Sequence, residues 1–154
     1  MKLRILAVGS RSSRWVDDAF SEYVKRLPRD NSLDLVLIPS APAGSERQKA
    51  LRIEGQRLLK NLGRNELVVA LDGTGTSYTS MNLAKKMKRW RMGGRDVAFI
   101  IGGANGLSAS VLERAEDTWS LSKLTFPHQV VRVLVAEQIY RAWSLNSGHP
   151  YHRA

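Results

Sequence analysis

Apolar positions along this chain follow two alternating rhythms. Leu3–Val8, Leu33–Ile38, Leu67 to Leu71 and Val97–Ile101 are nearly unbroken apolar runs, with a short fifth near Thr118 to Ser120. Unbroken rather than alternating apolarity predicts strands covered on both faces. Between the runs, apolar residues recur three and four apart, as on one side of a helix. Trp15, Ala19, Phe20, Tyr23 and Val24 predict a first helix ending before Pro28. A second is expected from about Glu46 to Leu62, with Leu51, Leu58, Leu59 and Leu62 on its buried side. Ser80 is a candidate cap for a third helix reaching about Trp90, with Gly93 and Gly94 as its stop, and Ser108 for a short fourth. The last, from about Gln129 to Leu145, is the most apolar: Val131, Leu134, Val135, Ile139, Ala142 and Trp143 recur at helical spacing. Strands alternating with helices predict an α/β domain with helices over both faces of a sheet. No repeat or internal boundary interrupts it, so residues 1–154 read as one domain, with 39–45 as a mobile loop.

Composition narrows the class. The chain has no cysteine, which removes disulfides, thiolate metal sites and cysteine nucleophiles together and suits a reducing, cytoplasmic setting. The opening apolar run stops at Gly9, with Arg11 and Arg14 following, so it reads as a strand rather than a secretion signal. Charges break the other apolar stretches, so no membrane span is expected. Lys and Arg number 24 against 14 acidic residues, a net charge of +10. Such a surplus favours a polyanionic partner, nucleic acid above all, through phosphate contact and counterion release.

Candidate chemistry gathers where strands end. Three segments carry glycine or turn residues at strand ends, where open α/β sheets place ligands: 71–76, 100–108 and 121–128. Glycines admit a ligand close to the backbone, and free amides and carbonyls can read an adenine edge. No Gly-x-x-x-x-Gly-Lys-Ser/Thr occurs, and the 102–106 segment is not a dinucleotide fingerprint, so a nucleotide triphosphate or nicotinamide enzyme is not expected. His128, His149 and His152 lack the cysteines or carboxylate pair that would complete a metal shell, and no metal is expected. Glu137 and Arg141 share a helix face, where an exposed ion pair is the simplest reading. His149, Tyr151, His152 and Arg153 place rings, a proton carrier and a guanidinium together in the tail, a mixture able to grip an unpaired base. A loose basic end is the plain alternative.

Taken together, these loops and the tail resemble the RlmH family of SPOUT-class methyltransferases, which modify a pseudouridine in helix 69 of bacterial 23S rRNA. The likeness runs nearly end to end, through Ala7-Val8-Gly9, Ile101-Gly102-Gly103 and Gly106-Leu107-Ser108. It is most specific from Trp119 onward, in 131–137, 140–144 and the ending His149-Pro150-Tyr151-His152-Arg153. The resemblance implies a SPOUT-type sheet covered on both faces, a C-terminal trefoil knot, and a homodimer. It implies S-adenosylmethionine as cofactor, held by Leu71, Gly102, Leu121, Ser122, Lys123, Leu124, Thr125 and Phe126. The Lys123 side chain is expected to point outward and its backbone to bind, because an inward ammonium would repel the sulfonium. It further implies rRNA, within the assembled ribosome, as substrate.

Methylation at N3 of pseudouridine requires loss of an imide proton as the nitrogen attacks the sulfonium methyl in line. Orientation and electrostatics should supply most of the rate, with a general base assisting. His152 and Glu137 are the two candidate bases. Arg141 and Arg153 are candidates for holding phosphate or a uracil carbonyl, and Tyr151 for stacking on the base. Two rivals remain open from sequence: a non-catalytic RNA-binding or ribosome-assembly protein, and a tRNA methyltransferase of the same class.

Overall fold

The computed structural model describes residues 1–10 and 13–153; Arg11, invoked above as closing the first apolar run, and Ala154 lie outside the described residues. Five strands, β1 (Leu3–Val8), β2 (Leu33–Ile38), β3 (Leu67–Ser77), β4 (Val97–Ile101) and β5 (Asp117–Ser120), join one parallel sheet in the order β2-β1-β4-β3-β5. Between and after them run α1 (Arg14–Val24), α2 (Arg47–Lys60), α3 (Ser80–Met92), α4 (Ala109–Arg114) and α5 (His128–Ser147), and the chain finishes in a 3-10 turn, Pro150–Arg153.

Both sheet faces are buried, which is why the strands read as continuous apolar runs. Side chains alternate along each strand. Leu3, Ile5, Ala7, Val97, Phe99 and Ile101 pack with α3 and α5, and Phe20, Tyr23 and Val24 of α1 lie against the same core. Leu6, Val8, Ala98 and Ile100 turn the other way, onto Leu58 of α2 and Val111 of α4. Ile139 of α5 is fully buried, and its truncation to alanine should cost about 2–5 kcal/mol.

Several boundaries and faces differ from the sequence reading, each for a local reason. On α1 the fully buried position is Val16; Trp15 is 63% exposed. Val16, Phe20 and Tyr23 form the inward stripe, and Trp15 sits one residue, about 100°, off it. On α2 the deepest residues are Ala50, Glu54, Gly55 and Leu58, whereas Leu51, Leu59 and Leu62 are half-buried. A Cβ at Gly55 would lie 2.5 Å from the Ser108 hydroxyl, so small residues let α2 press against the start of α4. Thr79, not Ser80, caps α3: its hydroxyl accepts from the Asn82 amide, and the Asn82 side chain accepts from the Thr79 amide. Ser108 caps α4 as expected. Helix α5 begins one residue earlier than expected, at His128, and runs to Ser147, where Gly148 closes it with φ 72°.

Strand β3 absorbs most of a segment that reads as a turn. It continues to Ser77, pairing with β5 on both sides of a register break between Leu71 and Thr76. A Cβ at Gly75 would meet the Thr118 carbonyl oxygen at 2.5 Å, so glycine is what admits the pairing. The 39–45 segment is tethered rather than loose. Glu54 accepts from the Ala41 amide at 2.9 Å, and Arg57 donates to the carbonyls of Pro39 and Ser40.

Candidate functional site: a strand-end pocket and an anchored tail

The carboxyl ends of β3, β4 and β5 open on one hollow of about 440 Å³, within the roughly 300–1,000 Å³ of small-molecule sites. Leu71, Gly102, Leu121, Ser122, Lys123, Leu124, Thr125 and Phe126 all line it. So do residues not singled out from sequence, among them Asp72, Gly103, Trp119 and Val131, together with His128 at the start of α5. Asp72 and Gly103 belong to two of the same strand-end segments and His128 and Val131 to the first turn of α5, whereas Trp119 comes from within β5, where its apolar character reads only as strand core.

Local sequence shapes each wall. A Cβ at Gly102 would sit 2.5 Å from the Gly106 carbonyl oxygen, so the loop can fold back on itself only with glycine there. Asp72 pins the β3 edge by accepting from the Thr74 amide and hydroxyl, at 2.9 and 2.7 Å. In the third wall the Ser120 hydroxyl donates to the Ser122 carbonyl, and the Ser122 hydroxyl accepts from the Leu124 amide at 3.0 Å. Lys123 is exposed and Leu124 is 72% exposed, so these two line the hollow while keeping most of their side-chain surface in solvent.

Behind this pocket lies a buried cation that no sequence pattern announced. Arg132 is 1% exposed, one turn after His128 on α5. Its guanidinium reaches the Ser10 carbonyl at 3.4 Å, and burial lowers its pKa from the ordinary value. A Cβ at Gly9 would lie 3.1 Å from Arg132 Nη2 and 3.8 Å from His128 Nε2, so both side chains converge on the end of β1.

The tail residues form a second cluster. Glu137 Oε1 accepts from Arg141 Nε at 2.9 Å, Arg141 Nη2 at 2.6 Å and the Tyr151 hydroxyl at 3.0 Å. Gln138 Nε2 donates to Oε2 at 2.7 Å. The Glu137–Arg141 pair is thus part-buried and shared with the tail, not the exposed surface pair expected from spacing. The Arg141 pKa is raised by its bond to Glu137, and its guanidinium lies 5.1 Å from the Tyr151 ring centre. Burial, with bonds to Tyr23 and Glu137, raises the Tyr151 pKa and keeps the phenol protonated. Tyr151 also packs edge-on against Tyr140, at 4.6 Å between centres. The ending is therefore docked on α5, not loose. His152 is half-buried with its Nδ1 enclosed and without a hydrogen-bond partner among the described residues, and Arg153 is exposed.

Pocket and tail cluster do not meet within one chain. None of Glu137, Arg141, Tyr151, His152 or Arg153 lines the hollow. His128 touches it, and at 1.5 Å per residue Glu137 and Arg141 lie about 14 and 20 Å further along α5.

A parallel sheet with a loop-built pocket at its carboxyl ends, walled by backbone and apolar groups and holding no phosphate-binding loop, defines a class of small-ligand α/β folds. The comparisons sharpen that class. A family described as Predicted SPOUT methyltransferase matches residues 1–152. The chain is 48% identical to ribosomal RNA large subunit methyltransferase H of Pseudomonas aeruginosa PAO1, over 99% of this chain and 100% of that one. It is 46% identical to the protein of the same name from Hahella chejuensis, over 99% of each. Among solved structures, a methylase-family protein from Haemophilus influenzae superposes with a TM-score of 0.59 at 14% identity, covering 97% of this chain and 69% of that one. A methyltransferase from Legionella pneumophila, solved with bound SAM, superposes with a TM-score of 0.51 at 10% identity, covering 92% and 66%. The chain belongs to the SPOUT methyltransferase family.

Proposed function

We propose that this protein transfers a methyl group from S-adenosylmethionine to N3 of a pseudouridine in helix 69 of 23S rRNA, on the assembled ribosome and as a homodimer of single-domain 154-residue chains. The observation that carries the reading is the convergence of Leu71, Gly102 and the 121–126 segment on one hollow in a chain of this family. The hollow suits the cofactor chemically. S-adenosylmethionine has no phosphate; it needs an apolar slot for its adenine and backbone groups to read the adenine edge. Leu71, Leu121 and Phe126 supply the apolar surface, and the glycine-rich 102–106 loop supplies close backbone. The knot would thread these same late-chain loops.

When bound, the cofactor supplies a sulfonium-activated methyl group. This chain's residues do the rest: they hold the base in line, exclude water and take the N3 proton. Of the two candidate bases, His152 is the better placed. Glu137 already accepts four hydrogen bonds, about the capacity of a carboxylate, so it serves to hold Arg141 and Tyr151. His152 is not so engaged: its enclosed Nδ1 has no partner among the described residues, and its half-buried ring would take the proton at Nε2. Arg141 and Arg153 oppose the negative charge that grows on the uracil carbonyls or hold neighbouring phosphate, and the Tyr151 ring offers a face for the base.

The gap between tail and pocket in one chain favours a composite site, with the tail of one subunit completing the pocket of the other. Exposed Trp15 and Leu124 offer apolar surface for such pairing. The test is incorporation of labelled methyl into ribosomes, free rRNA and bulk tRNA, beside calorimetry with S-adenosylmethionine. Labelling of ribosomes alone is expected. Labelling of tRNA instead, or no cofactor binding, would replace this reading with one of its rivals.

A further inference from the structure

The outer face of α3 carries positive charge that the protein does not balance. This helix holds Lys85, Lys86, Lys88, Arg89 and Arg91 and no Asp or Glu. Buried Leu83, Ala84 and Met87 fix its orientation and leave Lys85, Lys88 and Arg89 exposed. Nearby carboxylates are engaged elsewhere. Asp117 pairs with Lys86 at 2.8 Å, Asp30 with Arg91 at 2.6 Å, and Glu116 with Arg95. Among the described residues, Lys85, Lys88 and Arg89 enter no ion pair.

Lys85 lies three residues from Lys88 and four from Arg89, so the three form one patch whose like charges repel. The helix dipole favours cations in the last turn, where Arg89 and Arg91 sit. It does not account for Lys85, more than a turn earlier. Beside the patch, a polar hollow of about 260 Å³ is lined by Thr76, Ser77, Asn82, Lys85, Lys86 and Arg89. Amide, hydroxyl and cationic groups thus border one space; the Asp117 carboxylate also lines it but is neutralised by Lys86 at 2.8 Å, which leaves Asn82, the hydroxyls, Lys85 and Arg89 as donors suited to phosphate oxygens. This hollow adjoins the strand-end pocket through β5: Asp117 faces the first, while Trp119 and Ser120 line the second. Tyr78 stacks on Trp119 between them, with 5.2 Å between ring centres.

We infer that this face of α3 grips the phosphodiester backbone of the rRNA on one side of the nucleotide that receives the methyl group. The inference rests on the rRNA reading above and adds a docking surface apart from pocket and tail. Three exposed cations within little more than one turn can hold the backbone of a strand leaving the site, which would fix the register of the target base over the pocket.

The test compares Lys85→Glu/Lys88→Glu/Arg89→Glu, and its neutral Gln counterpart, with Arg47→Glu/Lys49→Glu/Arg52→Glu on α2, a change of equal net charge on exposed residues. Binding to purified bacterial ribosomes is measured against salt, and cofactor affinity by calorimetry reports intact folding. Both α3 variants should keep cofactor affinity yet lose ribosome affinity by roughly tenfold or more, with the slope of log affinity on log salt shallower by about 2. The α2 variant should keep most of its affinity. Unchanged ribosome binding by the α3 variants, or equal loss by the α2 variant, overturns the inference. Should the wild-type protein bind neither ribosomes nor free rRNA, the rRNA reading itself falls and the α3 proposal with it.

Discussion

Among single side chains, the contrast between Glu137 and His152 has kinetic consequences. Glu137 is occupied by Arg141, Tyr151 and Gln138, whereas His152 keeps an unpartnered nitrogen. His152→Asn should remove most of the rate of methyl transfer while cofactor affinity stays unchanged. Glu137→Gln should slow transfer less, by loosening Arg141 and Tyr151. A larger loss in Glu137→Gln than in His152→Asn would make Glu137 the base. Tyr151→Phe removes one hydrogen bond to Glu137 and should cost about 1 kcal/mol in chemical unfolding. The sequence placed Glu137 and Arg141 on one face, because helical spacing is local information. It could not show that the tail folds back to share that carboxylate, since the contact spans fourteen residues and a turn. Arg132 escaped notice for a related reason: an arginine in a helix reads as solvent-facing until the carbonyl it reaches, 122 residues away, is known.

Elements differ in how far they could be read. The four longer strands were legible from their apolar runs, and the helices from spacing, glycine stops and the Ser108 cap, although Thr79 and not Ser80 caps α3. The β3 extension was not, because Gly73, Thr74 and Gly75 have the composition of a turn and become strand only through β5. Gly75→Ala should therefore cost about 1–3 kcal/mol by overpacking against Thr118, measurable by denaturant titration. The same edge is pH-sensitive. Burial alone would raise the Asp117 pKa, but Lys86 and Tyr78 outweigh it and lower it below the usual 3.8. Burial likewise opposes the lowering of Glu66 below 4.5, which Arg4 brings about. Depressed carboxylates stabilise the fold above their ordinary values and lose that contribution as pH falls through the folded ones. Burial and Asp117 raise the Tyr78 pKa above 10.0, so its contribution is complete below pH 10 and is lost on further alkalinisation. Thermal melts should thus weaken below about pH 4 and above about pH 10, and Asp117→Asn should soften the acid limb while the alkaline one, caused first by burial of Tyr78, persists. A pH-independent melting temperature in that variant and the wild type alike would refute these linkages.

For the whole molecule, one surplus of charge and one separation in space matter most. The net charge of +10 was plain from composition, but its concentration on α3 needed the neighbouring carboxylates to be located. Separation of pocket and tail along α5 predicts complementation between defective subunits. Gly102→Val should block the pocket, because its side chain meets the Gly106 carbonyl, while His152→Asn should disable the tail. In a randomly mixed homodimer population, about one quarter of wild-type activity should return; none should return if each chain completes its own site. The decisive experiment supplies labelled S-adenosylmethionine and the wild-type protein to ribosomes lacking the modification, then digests the 23S rRNA and identifies the labelled nucleoside. A single label on N3 of a helix 69 pseudouridine is the expected result. Label on another nucleoside, or none in rRNA while the cofactor binds, would contradict it.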